Sequence, residues 1–390
     1  MAKIDPYKHK ERYLAWKRKT HSQIFEISKE NSDLIKNYLD DMERGVNIAR
    51  GTKKGSRSYI RLNTLRQRMV FLAKEFKERF GLNSITDINE KQLFDFFYGL
   101  RSGTITRYDG KPFKSVKDFA KDFKAFWHWH QKISRKNNKE VQDIATDLDT
   151  TGEKPIWVYL TEEQVKTLAE SANTKYKVLI WFLFDTGIRA PTELMNVKVS
   201  DFYNDFKELN IREETSKTFG RKIKLMISSK LIEDYIKVEG LKQEDYLFTT
   251  TPSEVNKYLK RLTKRVLGDS VSPAGEKYSN ITMYDFRHIS CCYWLPRYKS
   301  ESALKYRFGW KKSDKIHYYS ELLGMKDTIS EEDLLVDVTK IELERRLDKT
   351  EKTGEMLKEE NEMLKTQMAR IGNLVKILFE KVKLNLDLEA

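Results

Sequence analysis

The sequence predicts a mainly α-helical protein with a small antiparallel sheet and a long C-terminal coiled-coil helix. Through most of the chain, apolar residues recur at the period of about 3.6 residues that marks a helix with one buried face. Residues 209–211 and 223–227 instead alternate apolar and polar side chains, as two half-buried strands of a hairpin do. From residue 343 to residue 382, a seam of mostly apolar positions is spaced alternately four and three residues apart, which is the heptad repeat of a coiled coil.

The composition favours a negatively charged partner. The 390 residues include 73 Lys and Arg against 59 Asp and Glu, which gives a net charge of +14. Nucleic acid is the commonest polyanion, although a membrane surface or simple solubility would also account for the excess of positive charge. A chain of this length is expected to form about two or three units, each with its own core.

The cysteine, histidine and apolar patterns argue against a secreted, membrane-spanning or zinc-binding protein. Cys291 and Cys292 are adjacent and cannot join distant segments, so we expect a reducing cytosol. The longest apolar run, residues 178–184, is far shorter than the roughly 20 residues of a membrane span, and the basic N-terminus has no apolar signal segment. Histidines and cysteines show no metal-ligand spacing, so no metal is expected.

The N-terminal third is predicted to be a basic arm followed by a helical domain. Residues 1–27 are polar and basic, and we expect a solvated terminus or, as the alternative, an arm that clamps nucleic acid. From residue 28 to residue 135 the apolar period predicts four helices, the first containing Leu34 and the last containing Phe123.

Residues 44–68 contain eight basic side chains and no acidic one. Glycines at positions 51 and 55 indicate a loop that leads into the next helix. A loop and helix start of one charge sign suits phosphate contacts, whereas a merely solvated face usually mixes both signs. The residues expected to contact a nucleic-acid backbone here are Arg50, Lys53, Lys54, Arg57, Arg61 and Arg66.

A polar segment then separates the helical domain from the rest of the chain. Residues 136–156 have little apolar content and are predicted to be a linker. Thr161 and Gln164 form the capping box that opens a new helix. The following helix, residues 176–184, is apolar all round and is predicted to be buried.

Three cationic features follow the buried helix. Pro191 is expected in the first turn of another helix, which places Arg189 at the junction between the two helices. The hairpin between the two strands carries Lys217 and Lys222, although most hairpin lysines are simply solvated. Helix 253–267 has an apolar face and a second basic strip, whose members are Lys257, Lys260, Arg261 and Lys264.

The segment from residue 282 to residue 319 concentrates side chains that can handle a phosphate. Thr282 is expected to cap a helix, with Asp285 three residues later answering the cap. Three side chains share one face of that helix because of their spacing: Tyr284, Arg287 and His288. Two short motifs follow, Phe308-Gly309-Trp310 and Ile316-His317-Tyr318-Tyr319-Ser320.

Residues 185–194 and 282–319 resemble the two parts of the active site of tyrosine recombinases. In that family an arginine box, a hairpin lysine, a His-x-x-Arg box, a His or Trp and a nucleophilic Tyr follow one another along the chain. The matching residues here are Arg189, Lys217, Tyr284, Arg287, Trp310 and Tyr319. Lys217 is the matching hairpin lysine, with Lys222 as the runner-up.

The resemblance leaves alternatives open at three positions. Glu193 lies four residues after the first arginine instead of three, so it is a possible supporting residue. Tyr284 occupies the position of the family's histidine, so His288 or a water relay becomes the alternative proton acceptor, although His288 could equally be a structural partner at the helix start. Tyr319 lies nine residues after the tryptophan and is favoured as the nucleophile, with Tyr318 as the fallback.

The resemblance implies site-specific DNA recombination or integration by an enzyme of the kind that viruses and plasmids carry. Such an enzyme cleaves a strand through a 3′-phosphotyrosyl bond, without a metal or other cofactor, and a 5′ hydroxyl reverses the step. The two arginines would stabilise the transition state and lower the pKa of Tyr319, and Lys217 would protonate the leaving oxygen. The expected partners are double-stranded attachment sites and three further copies in a tetrameric synapse, in the cytoplasm and at the nucleoid.

The resemblance also implies a domain order. The expected parts are a basic arm at 1–27, a SAM-like core-binding domain at 28–135, a linker at 136–156, an α+β catalytic domain at 157–325 and a coiled-coil tail at 326–390. The tail lies outside the family's common core. Asn361 is at an a position of its heptads, where a buried amide can fix register and oligomer number, although a single helix packed on its own body is the alternative.

Two other functions remain open. A type IB topoisomerase shares the catalytic chemistry, but it would relax supercoils as a monomer, and the coiled-coil tail and compact core-binding unit argue against it. A DNA-binding regulator built on a recombinase scaffold fits the altered spacing of Glu193 and the presence of Tyr284. Such a regulator would bind a DNA site without forming a covalent adduct.

Overall fold

The computed structural model describes residues 4–46, 55–152, 155–298 and 300–323, together with residues 350, 354, 357–358, 361–372 and 376 of the C-terminal tail. The chain divides into two compact units, Met1–Tyr319 and Ser320–Ala390. The first unit is mainly helical and contains a small antiparallel sheet, which confirms the predicted fold class. Within it, we call the part up to residue 148 the first lobe and the part from residue 157 to residue 319 the second lobe.

The first lobe is a helical bundle with an aromatic core. Its helices are α1 (His9–Lys19), α2 (Lys29–Arg44), α3 (Tyr59–Phe80), α4 (Glu90–Ser102) and α5 (Val116–Lys136). Phe76 of α3 is fully buried, and its ring packs edge-on against Phe96 of α4 and Phe123 of α5. These contacts join the helices that the apolar period predicted.

The N-terminal arm is part of this bundle, so the expectation of a solvated terminus is wrong. Residues 9–19 form α1, and Tyr13 is fully buried against Trp16 and Tyr59. The described part of the lobe therefore has five helices where the sequence predicted four. The inward face of α1 is narrow and most of its other positions are charged, so the apolar period is too weak to detect from the sequence.

The predicted linker also contributes to the first lobe. After α5 ends at Lys136, residues 137–152 and 155–156 contain no helix or strand. Ile144, Ala145 and Leu148 are nevertheless buried in the same core as the helices. The few apolar residues of this polar segment are therefore those that attach it to the bundle.

The second lobe surrounds a buried helix with further helices and a three-stranded sheet. Its helices are α6 (Glu162–Glu170), α7 (Thr174–Thr186), α8 (Ser229–Glu239), α9 (Pro252–Leu267), α10 (Asp285–Trp294), α11 (Glu301–Phe308) and α12 (Asp314–Leu322). The capping box of Thr161 and Gln164 opens α6, and α7 is the buried helix, as predicted. Helix α12 begins in this lobe and continues three residues beyond it.

The strands are β1 (Phe202–Tyr203), β2 (Glu208–Ile211) and β3 (Arg221–Lys224), in the order β1-β2-β3 and antiparallel throughout. Leu209 pairs with Ile223, and Ile211 pairs with Arg221. The sequence predicted β2 and β3, whereas β1 has only two residues and shows no alternation.

Two predicted helix starts differ in the structure. Pro191 follows a cis peptide bond in a turn, and the next element is a 3₁₀ helix, Leu194–Asn196. Thr282 does not cap α10. Instead, its N–H and hydroxyl both donate to the carboxylate of Asp285, the first residue of that helix.

In the second unit, the described residues are helical, including the run from residue 361 to residue 372. The seam positions Leu357, Leu364, Met368 and Ile371 are exposed on the single chain. The seam positions 343, 347, 375, 378 and 382 lie outside the described residues. Among the residues described, no helix combines the length and apolar character needed to cross a bilayer.

Candidate active site

Arg189 is held at the end of α7 by a glycine turn and a carboxylate. Gly187 has φ +56°, and a Cβ there would lie 2.4 Å from a ring carbon of Phe308, so only glycine fits this turn. The main-chain N–H of Arg189 donates to Glu193 at 2.8 Å, and its Nη1 donates to the same carboxylate at 2.9 Å. Its Nη2 donates to the carbonyl of Gly309 at 2.7 Å.

Glu193 is the buried centre of this arrangement. Besides Arg189, it accepts two hydrogen bonds from Arg221 of β3, at 3.1 and 2.8 Å. Burial alone would raise the pKa of the Glu193 carboxyl, but the hydrogen bonds and charge of Arg221, with a smaller contribution from Arg189, lower it to about 2. Glu193 is therefore a carboxylate that orients Arg189, despite its spacing of four residues.

Arg221 was not among the predicted site residues. It is buried, and its Nε also donates to the carbonyl of Arg307 at 2.8 Å. The alternation of the strand could have predicted its burial. Arg221 lies two and four residues before Ile223 and Leu225, so its side chain is on the same inward face as theirs. A charged residue on the buried face of a strand needs a buried partner, which Glu193 supplies.

Arg287 lies on α10, and its side chain contacts the same short segment, Phe308–Gly309, that Arg189 contacts. Its Nη1 donates to the carbonyl of Gly187 at 2.7 Å, and its Nη2 donates to the carbonyl of Phe308. Burial lowers the pKa of the Arg287 guanidinium to about 10, and the positive charge of Arg189 adds to this effect. Both guanidiniums therefore converge on the adjacent carbonyls of Phe308 and Gly309, and Arg287 remains protonated at neutral pH.

Trp310 and Tyr319 complete the cluster. The Trp310 ring stacks on the Tyr319 ring with centres 5.9 Å apart and on the Phe308 ring with centres 5.0 Å apart. The guanidinium carbon of Arg287 lies 5.8 Å from the centre of the Trp310 ring. Trp310 therefore packs against both Tyr319 and Phe308, beside the guanidinium of Arg287.

Tyr319 is only 2% exposed, and its hydroxyl is hydrogen-bonded to Nδ1 of His288 at 2.6 Å. Burial raises the pKa of the Tyr319 phenol far above its ordinary value, and the charge of Arg287 offsets only part of this increase. The charge of Arg287 acts in the expected direction, but burial outweighs it, so the net pKa is raised.

Tyr284 and His288 have different surroundings. Tyr284 is 48% exposed, and its ring meets the His288 ring edge-on at 5.3 Å. His288 is half-buried between Tyr284, Trp157 and Tyr319, with ring centres 4.9 Å from Trp157 and 5.7 Å from Tyr319. Of the two candidates for handling the tyrosine's proton, the structure places His288 against Tyr319.

Tyr318 has a separate set of contacts. Its hydroxyl donates to the carbonyl of Pro155 at 2.7 Å and accepts a hydrogen bond from the Trp157 indole N–H. Both partners lie where the predicted linker meets the second lobe. The hydroxyl of Tyr318 therefore has different hydrogen-bond partners from the hydroxyl of Tyr319, which contacts His288.

The two hairpin lysines differ in position. Lys217 is exposed and forms no hydrogen bond or ion pair with the residues that the structure describes. The hydroxyl of the next residue, Thr218, donates to the carbonyl of Gly309 at 2.8 Å, so the loop reaches the arginine cluster. Lys222 lies on the opposite face of β3 from Arg221, with its Nζ 5.7 Å from the centre of the Tyr203 ring.

The first predicted DNA surface is less free than the sequence indicated. Arg61 forms a bidentate ion pair with Asp122 of α5, which also pairs with Arg68. Arg66 lies over the Trp16 ring at 4.9 Å. Residues 44–68 lack acidic side chains, but α5 supplies one from a distant part of the sequence.

The other members of this predicted surface are Arg57, which is half-buried, and three residues that lie outside the described ranges: Arg50, Lys53 and Lys54.

The second predicted surface, on α9, remains open to solvent. Lys257, Arg261 and Lys264 are exposed and Lys260 is half-buried. Asn256 accepts a hydrogen bond from the N–H of Met283 at 2.9 Å, which places the start of α9 beside the start of α10.

Within the described parts of the chain, no group of His, Cys, Asp or Glu side chains is arranged to hold a metal ion.

Comparison with known proteins identifies the fold. No protein-family model matches the sequence, and no curated protein matches it. Among solved structures, the chain is similar to a lambda integrase dimer bound to a COC′ core site, with 16% identity, 77% of this chain and 79% of that chain covered, and a TM-score of 0.54.

Two further structures show a similar degree of likeness. The Tn1549 transposon integrase in complex with transposon right end DNA has 15% identity over 79% of this chain and 99% of that chain, with a TM-score of 0.52. The XerH recombinase in a post-cleavage complex with a palindromic difH substrate has 14% identity over 68% of this chain and 77% of that chain, with a TM-score of 0.52. At this identity, the likeness shows that the chain has the fold of tyrosine recombinases.

Proposed function

We propose that the protein is a site-specific DNA recombinase that cuts and rejoins duplex DNA through a covalent bond to Tyr319. One observation carries the proposal. Arg189, Arg287 and Tyr319 lie far apart in the sequence, and all three contact the short segment Phe308–Trp310. Duplex DNA is the proposed substrate because the structures of similar fold are complexes with DNA sites and because the chain is strongly basic.

The first step is attack by the Tyr319 oxygen on a backbone phosphorus, with breakage of the bond between phosphorus and the 5′ oxygen. The transition state has more negative charge on its phosphoryl oxygens than the diester has. Arg189 and Arg287 supply forked N–H donors that remain charged at working pH, and the buried surroundings strengthen their effect. Glu193 and Arg221 keep the first guanidinium in place.

The protons of this step require two partners. The raised pKa of Tyr319 means that the phenol is not ionised before attack, so its proton must leave as the new bond forms. His288 accepts it at Nδ1, which is already hydrogen-bonded to that hydroxyl. Lys217 donates a proton to the leaving 5′ oxygen from its exposed position on the hairpin. Rejoining reverses each transfer, with the 5′ hydroxyl of the partner strand as the attacking group.

Binding is assigned mainly to the second lobe. The exposed cations of α9 lie beside the start of α10, where a backbone that enters the site would pass. In the first lobe, Arg61 and Arg66 contribute to the DNA surface only if they exchange their internal partners for phosphates. We assign the four subunits of a synapse to copies of this chain.

Two observations favour a second candidate, a DNA-binding regulator without catalytic activity. Tyr319 is almost completely buried, and Tyr284 stands where tyrosine recombinases have histidine. A protein that kept the fold and lost the chemistry would bind its site with Tyr319 permanently in this position.

The deciding experiment uses a nicked duplex that carries the attachment site and traps the covalent adduct, in the presence of EDTA. Wild type, Tyr319→Phe and Tyr318→Phe are compared on a denaturing gel. We expect a 3′-linked adduct with wild type and with Tyr318→Phe and none with Tyr319→Phe. The reverse pattern would move the nucleophile to Tyr318. Specific binding without an adduct in any variant would support the regulator, and relaxation of a supercoiled plasmid lacking the site would support a topoisomerase.

A further inference from the structure

Trp157 connects the segment between the lobes to the reacting side chains. It is 3% exposed, and its ring centre lies 4.9 Å from that of His288 and 6.1 Å from that of Tyr319. Its indole N–H donates to the hydroxyl of Tyr318, which itself donates to the carbonyl of Pro155. Two side chains and one main-chain carbonyl therefore form a connected set of contacts at the middle of α12.

The backbone of Trp157 is fixed by a neighbouring loop. Its N–H donates to the carbonyl of Ala274 at 3.3 Å, and its carbonyl accepts from Glu276 N–H at 3.3 Å and from the Ser272 hydroxyl at 3.2 Å. Glu276 also forms an ion pair with Lys114 of the first lobe at 3.4 Å. A continuous path of contacts thus runs from the first lobe through this loop to Trp157, and from Trp157 to His288 and Tyr319.

We infer that Trp157 and Tyr318 are positioning residues that hold Tyr319 against His288; this inference rests on the proposed function. Neither residue touches the phosphate or exchanges a proton with it. Tyr318 anchors α12 through its hydroxyl, while the Trp157 ring packs against the His288 ring with centres 4.9 Å apart. The position of the nucleophile consequently depends on the position of Pro155 and Trp157, which connect the lobes.

The test is a pair of conservative variants. Trp157→Phe keeps an aromatic ring beside His288 but removes the N–H donor and part of the buried ring, whereas Tyr318→Phe removes the hydroxyl that both accepts and donates. We expect each to slow single-turnover cleavage at saturating DNA on the order of tenfold, since Trp157→Phe loses one hydrogen bond and Tyr318→Phe loses two, with unchanged affinity for DNA. The double variant should be no slower than Tyr318→Phe, because both bonds are already lost there.

A second readout does not require catalysis. In the free protein, amide hydrogen exchange of the peptide that contains residues 314–319 should be faster in both variants. Tyr159→Phe is the matched control, because Tyr159 also packs on Trp157, with ring centres 5.9 Å apart, and its hydroxyl has no hydrogen bond to the described residues.

The outcomes separate the two proposals. Unchanged exchange in both variants, or wild-type cleavage by both, would overturn the positioning role. An equal effect of Tyr159→Phe would also overturn it, because general loosening around Trp157 would then account for the result. If wild type forms no adduct, the proposed function fails, and the exchange measurement still decides whether the contacts hold α12.

Discussion

Glu193 shows how a single side chain can decide the geometry of the site. Its carboxylate joins the main chain and side chain of Arg189 to Arg221, and the Glu193–Arg221 pair is almost completely buried. Breaking a buried pair leaves an uncompensated charge, which typically costs about 3–5 kcal/mol. The position of the first arginine is therefore coupled to the stability of the sheet.

The lowered pKa of Glu193 predicts how stability depends on pH. The folded value of about 2 lies below the ordinary value of 4.5. The carboxylate therefore contributes stability above about pH 4.5, and this contribution is lost as the pH falls toward 2. We expect wild type to lose about 3 kcal/mol more of its free energy of unfolding across this range than Glu193→Gln does.

Urea denaturation of both proteins at several pH values measures this difference. Glu214→Gln is the control, since Glu214 is exposed and pairs only with Arg212 at the surface. Parallel pH profiles of wild type and Glu193→Gln would contradict the buried pair.

His288 predicts the pH dependence of cleavage. A protonated imidazole cannot accept the proton of Tyr319, so the wild-type cleavage rate should fall as the pH is lowered. His288→Gln should reduce the rate about 10²-fold or more, as expected for loss of a general base, and should remove that dependence.

Single-turnover adduct formation measured between pH 5 and 9 tests this prediction. This interval covers the range in which an ordinary histidine titrates. Tyr284→Phe serves as the comparison, because it keeps the ring that packs on His288. A profile of His288→Gln with the same bend as that of wild type would assign the proton to another group.

At the scale of elements, the two basic surfaces differ in how much positive charge they leave free. The cations of α9 are largely exposed, whereas Arg61 and Arg68 of α3 are held by Asp122 of α5. A cation that is already paired releases no counterion from DNA when the protein binds.

This difference predicts distinct salt dependences. Lys264→Gln should reduce the slope of log association constant against log salt concentration by about 1, whereas Arg61→Gln should leave the slope unchanged. Fluorescence anisotropy with a labelled duplex at four or more salt concentrations measures both slopes. A larger effect of Arg61→Gln would mean that DNA displaces Asp122 from this arginine.

At the scale of the whole molecule, the C-terminal unit carries the prediction about assembly. The described seam residues are exposed on the single chain, and a heptad seam is stable only when it is covered. We expect the full chain to self-associate, and Leu364→Glu combined with Ile371→Glu should shift it to a monomer. Analytical ultracentrifugation at micromolar concentration measures the change.

Met363→Glu is the matched control, because Met363 is 65% exposed in the same helix and lies off the seam. A wild-type monomer, or an equal effect of the control, would exclude self-association through this seam.

The features that depend on near neighbours could be predicted from the amino-acid sequence alone. Helix periods, the capping box at Thr161, the alternation of β2 and β3 and the buried character of α7 are all set by residues within a few positions of one another. The order of the arginines, tryptophan and tyrosine along the chain was also visible, which is why the fold class could be predicted. The packing of α1 could not be predicted, because a helix with a single buried tyrosine shows almost no apolar periodicity.

Contacts between side chains that are distant in the sequence could not be predicted in this way. Arg221 pairs with Glu193 across 28 positions, Tyr319 contacts His288 across 31, and Arg61 pairs with Asp122 across 61. The net pKa of Tyr319 also depends on the packing, because burial outweighs the lowering effect of the nearby positive charge. Burial and ion pairing depend on distances in space, and those distances are fixed only when the separate elements pack around one core.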